Sequence, residues 1–171
     1  MDNQISSENT SFAYLKGSSD FLNIVMNNIN SCVLLLDNQM RLQAFNDSMK
    51  TIFSNRENEY LLYKKCGNAI GCAYAVDEER ECGNTSHCCN CELRKNALIS
   101  YSGKKAIYKQ RIDRKFYLTD YRKVLKHLQY STRPFVFEKD NYIILIIEDI
   151  TQLVDQQIII DLQQEKLASK N

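Results

Sequence analysis

The chain carries almost no net charge: 22 Lys and Arg stand against 21 Asp and Glu, a balance of +1. That removes the basic footprint on which nucleic-acid binders rely, so no nucleic-acid partner is expected. Arg114, Lys115, Arg122, Lys123 and Lys126 sit among apolar residues and read as the wet face of strands. Long apolar runs are missing too. The longest, "IILII" at 143–147, falls far short of the ~20 residues that span a bilayer. The opening residues "MDNQISSENTSFAY" lack the basic start and apolar run of a secretory signal. A cytoplasmic location without membrane contact is therefore expected. Catalytic signatures are absent as well: no G-x-S-x-G, no G-x-x-x-x-G-K-[ST] and no H-E-x-x-H occurs. Asp77, Glu78 and Glu79 are consecutive and do not converge as a catalytic pair would. They read as a solvated loop, and the chain is not expected to be an enzyme.

Cysteine is what the chain has in excess. Six of its seven cysteines fall between positions 66 and 91. A cytosolic setting disfavours structural disulfides and favours metal-binding or redox thiols. Seven is also an odd number, so the cysteines cannot all pair within one chain.

Around that cluster the chain reads as alternating elements. Residues 1–17 are polar and form an N-terminal arm. "SSDFLNIVMNNIN" follows as a short helix capped by Ser18 or Ser19, with Phe21, Leu22, Val25, Met26 and Ile29 as its apolar stripe. Strand-type runs at 31–36 and 41–46 flank the turn "DNQM". A short helix with Met49, Ile52 and Phe53 on one face comes next. The cysteine segment holds three of the five glycines, Gly67, Gly71 and Gly83, which suits a loop wrapped closely around a ligand. A helix starts at Cys91, faces Leu93, Ala97 and Leu98 inward, and ends at Gly103. From 105 onward the chain reads as strands, although Tyr121, Val124, Leu125 and Leu128 also match a helical stripe. The lone proline, Pro134, predicts an edge or a bulge. The tail is a helix in which Leu153, Ile160 and Leu167 repeat every seven residues. Its two readings are a dimer contact and a helix packed back on its own domain.

This order resembles a PAS domain: an α+β fold with a five-stranded antiparallel sheet, small helices on one face, and a C-terminal signalling helix. "LLLDNQMRLQAFNDSM" resembles the opening PAS hairpin, with Asn46 at its exit. "YIILIIEDIT" resembles the closing strand, with Asp149, Ile150 and Thr151 leading into the signalling helix. "GNAIGCAYAVDEERECGNTSHCCNCELR" resembles the cysteine-rich segment of one PAS subgroup, found in bacterial sensor kinases and hydrogenase-associated regulators. The likeness covers about 19–151. The expected organisation is an arm over 1–17, a sensor domain over 18–151 with a cysteine-rich loop over 66–91, and an amphipathic helix over 152–171. The subgroup implies an iron–sulfur cluster, [4Fe–4S] or [2Fe–2S], on Cys72, Cys82, Cys88 and Cys91. This chain departs from the subgroup by adding Cys66, His87 and Cys89, which are further candidate ligands.

The spacing C-x9-C-x5-C-x2-C has only one Cys-x-x-Cys knuckle, Cys88 to Cys91, and matches no common zinc signature. Thiolate softness suits a cluster, zinc or copper(I). The bland readings are a core thiol at Cys32, a free thiol at Cys66 and an exposed loop histidine at His87. Cys89 would be kept from the site by its neighbour Cys88, and His127 would be structural or on the surface. Cys91 at a helix start would have its thiolate, or a cluster's charge, stabilised by the helix dipole. Four functions follow: a redox, oxygen or nitric oxide sensor with a cluster; a structural zinc module; a cluster-free thiol switch; and a small-molecule-binding PAS domain. The expected partners are a second copy through the C-terminal helix and a histidine kinase or other signalling effector, since no output segment follows the helix.

Overall fold

Alternation decides the first hairpin. In Cys32–Leu36 (β1) residues 32, 34 and 36 are buried and the two between are half-buried. The chain reverses where the Asp37 carboxylate accepts the N–H groups of Gln39 (2.8 Å) and Arg41 (2.9 Å), with Met40 at φ 62°. It returns as Leu42–Phe45 (β2). The computed structural model describes residues 19–53 and 60–168, so the arm over 1–17 and the cap at Ser18 lie outside the described residues.

Ile107–Tyr117 (β3), Lys123–Phe137 (β4) and Asp140–Asp149 (β5) complete one antiparallel sheet in the order β2-β1-β5-β4-β3. β1 thus lies beside β5, joining the two ends of the domain in mid-sheet. Within the ambiguous stretch at 121–128, residues 123–128 are strand. The two-residue period buries Leu128 completely and leaves Leu125 49% exposed, where a helix would have turned both the same way. Pairing of β4 with β3 ends at Thr132. Pro134 lies past that point, on a part of β4 bordered by β5 alone, where a missing N–H costs no bond to β3.

The sheet's inner residues share one core with Ser48–Ile52 (α2), Cys66–Ala69 (α3) and Glu92–Gly103 (α5), through Met49, Ile52, Cys66, Ala69 and Ala97. Cys32 is a fully buried core residue. The cysteine segment is more regular than a loop, since α3 and Ala73–Asp77 (α4) are helical. α5 ends at Gly103, as expected, with a left-handed Lys104 (φ 48°) as its C-cap. Ser19–Asn27 (α1) buries none of its residues fully, and Leu22 stays 59% exposed. Thr151–Ala168 (α6) also has no buried residue and does not fold back on the domain; Leu153, Ile160 and Leu167 are all exposed. Among the described residues no helix is long and apolar enough to cross a membrane.

Candidate metal centre

The backbone of the cysteine segment is tied at both ends of its first half. Cys66 N–H donates to Met40 O (2.8 Å), and Cys72 bridges Phe116 on β3. Tyr117 N–H donates to Gly71 O (2.8 Å), where glycine allows a φ of 74°. The Asn68 side chain then catches the N–H of Cys82 (2.7 Å). Gly67 sits so close to Cys82 that an added Cβ would lie 2.7 Å from its sulfur. A 3₁₀ turn over Cys88–Asn90 brings the chain to Cys91, which is the N-cap of α5.

These ties gather Cys66, Cys72, Cys82, Cys88 and Cys91 around one cavity between the segment, α5 and the sheet, closed by apolar groups such as Ile70, Leu93 and Phe116. Cys89 is exposed and its thiol turns to Ser86 O (3.7 Å). His87 stacks on Tyr74 with ring centres 3.7 Å apart, and its Nδ1 meets Ser86 Oγ at 2.9 Å. Neither side chain lines the cavity. Cys66, also among the further candidate ligands, does.

The sulfurs differ in environment. Burial pushes the Cys66 thiol well up, and the neighbouring cysteines add to this. Burial also pushes Cys82 up to about 11, against a bond from the Gly67 backbone and the charge of Arg94. At Cys88 burial is outweighed. Bonds from Thr85 Oγ1 (2.9 Å) and Gly83 N–H (3.0 Å), with Arg94 nearby, lower its pKa. Donors aimed at sulfur favour the thiolate that a metal or cluster requires.

Two arginines complete the wall, and the sequence reading missed both. Arg114 belongs to the inner face of β3 with Ile112 and Phe116, where strand alternation puts it, and not to the wet face. Arg94 lies one helical turn beyond Cys91. Arg114 Nη1 is 3.8 Å from Cys72 Sγ, while Arg114 Nε and Arg94 Nη1 are buried without a hydrogen-bond partner. A buried guanidinium nitrogen without an acceptor is costly, so an anionic tetrathiolate centre suits this wall. Among the described residues no three His, Cys, Asp or Glu side chains close around one point as a single ion requires.

No protein-family model and no curated protein matches the chain. Solved structures do. An RNA-binding light-oxygen-voltage receptor superposes with a TM-score of 0.58 at 13% identity, covering 99% of this chain and 41% of that one. The PAS domain of a protein from Colwellia psychrerythraea gives 0.52 at 10% identity, covering 78% and 97%. With the strand order above, these likenesses define a PAS fold.

Proposed function

We propose that this PAS-fold domain is a sensory module that holds an iron–sulfur cluster on Cys72, Cys82, Cys88 and Cys91. It would respond to redox state, oxygen or nitric oxide. The observation that carries the reading is the convergence of these four cysteines on one cavity, with hydrogen-bond donors turned toward the sulfurs of Cys72 and Cys88. A cluster spreads its ligands over several iron atoms, whereas tetrahedral zinc needs four sulfurs at about 2.3 Å from one point. When bound, the cluster supplies one-electron chemistry and sensitivity to oxygen and nitric oxide.

The chain's own part is to couple the segment to the helix at its end. With its cysteines crosslinked, residues 66–91 are held against β3 and α5; without the crosslink the segment relaxes, because ligation and local folding are linked. From α5, Asn96 Nδ2 donates to Tyr130 Oη on β4 (2.8 Å). Three residues earlier on β4, His127 receives Ile150 N–H at its carbonyl (2.9 Å) and gives its own N–H to Thr151 Oγ1 (3.0 Å). The segment and the root of α6 thus grip the same strand. The exposed apolar stripe of α6 then meets a second copy, and a histidine kinase or other effector reads the change. The light-oxygen-voltage receptor with the same fold is itself a receptor, in keeping with sensing.

The test is anaerobic purification, a visible spectrum, and assay of iron, sulfide and zinc. Iron and sulfide in stoichiometric amounts are expected, abolished by Cys72→Ala and retained in Cys32→Ala. Colourless protein with one zinc selects the structural zinc module. Metal-free protein with fast reversible thiol oxidation selects the thiol switch.

A further inference from the structure

The two arginines line one cavity with the four cysteines. Arg114 Nη1 bonds Cys72 Sγ (3.8 Å). Its guanidinium also lies over the Tyr74 ring, 5.2 Å from the centre. Arg94 lines the cavity beside Cys82 and Cys88. It packs against Gly83, where φ is 109° and a Cβ would come within 3.1 Å of Arg94 Nη2. Each guanidinium keeps one buried nitrogen unpaired on the wall of the same cavity.

Charge explains the arrangement. Four thiolates around a doubly positive core leave two negative charges in a poorly solvated site, and two guanidiniums offset them. Net charge and hydrogen bonds to sulfur are the levers by which a protein sets a cluster's reduction potential. We propose that Arg94 and Arg114 are the counter-charges of the four-cysteine centre and govern how readily it accepts an electron. This rests on the iron–sulfur reading above. The added electron makes the centre more negative, so a nearby cation favours the reduced form and raises the potential; loss of the cation lowers it.

The experiment is spectroelectrochemistry of the full chain, reconstituted anaerobically with iron and sulfide, as parent, Arg114→Gln, Arg94→Gln and the matching lysine variants. Each glutamine variant is expected to favour the oxidised form at least tenfold, a downward shift of about 59 mV for one electron. Lysine keeps the charge and should stay near the parent. Where a glutamine variant fails to load, loading restored by lysine supports the inference and failure of both overturns it. A parent without iron and sulfide removes the cluster reading and this inference with it. A parent that holds a cluster whose potential ignores both arginines overturns the inference alone.

Discussion

Asn46 does at residue scale what no apolar residue could. It is 2% exposed, yet all its polar capacity is used. Its Oδ1 accepts Val33 N–H (2.8 Å), and its Nδ2 donates to Met26 O and Ser31 O (both 2.9 Å). One amide therefore joins the end of α1, the turn before β1 and the exit from β2. Asn46→Ala leaves a strand N–H and carbonyls inside the protein without partners. Unsatisfied groups cost about 1–3 kcal/mol each, so a loss of about 3 kcal/mol is expected from urea unfolding. A change below about 0.5 kcal/mol would mean that water replaces the side chain.

At the scale of elements, the junction between β5 and α6 depends on Asp149. Its carboxylate pairs with Lys126 Nζ (2.6 Å) and accepts from Thr151 N–H (3.0 Å) and Thr151 Oγ. Burial would raise its pKa, but Lys126 and Thr151 outweigh burial and hold it below the ordinary value. A depressed native pKa gives stability that is present above the unfolded value of about 3.9 and is lost as pH falls through the native value. Asp149→Asn is therefore expected to lower stability by about 1 kcal/mol at pH 7. The gap to the parent should close as pH drops below about 3.9. A gap that is equal at pH 7 and pH 3 in urea titrations would rule out the ion pair as its source.

For the whole molecule, the open question of assembly concentrates on α6. Leu153, Ile160 and Leu167 are 63, 45 and 67% exposed, and no residue of the helix is buried. A second copy packed along this stripe would bury them. Burying a leucine or isoleucine contributes about 2 kcal/mol. The double change Leu153→Glu with Ile160→Glu should thus weaken a dimer roughly a thousandfold and give monomer by light scattering. Unchanged mass would place the dimer contact elsewhere or show that none exists.

Much of the fold was legible in the residues. The hairpin of β1 and β2 announces itself by two strand-type runs flanking the turn "DNQM", and the order of elements was enough to suggest the sheet that the structure contains. The span 121–128 was not legible, because four apolar residues fit both periods and only pairing with β3 and β5 decides between them. The same division holds at the cavity. The sequence places six cysteines within 66–91, and the resemblance to the PAS subgroup singles out Cys72, Cys82, Cys88 and Cys91 among them. Tertiary structure decided which side chains face inward. It turned Cys89 and His87 away, brought Cys66 to the wall, and placed Arg94 and Arg114 on that wall, with Arg114 against the Cys72 sulfur. The reason is that inwardness belongs to the packing of strand, helix and segment against one another, and a charged residue such as Arg114 reads as surface until its strand neighbours Ile112 and Phe116 are seen to face the same cavity.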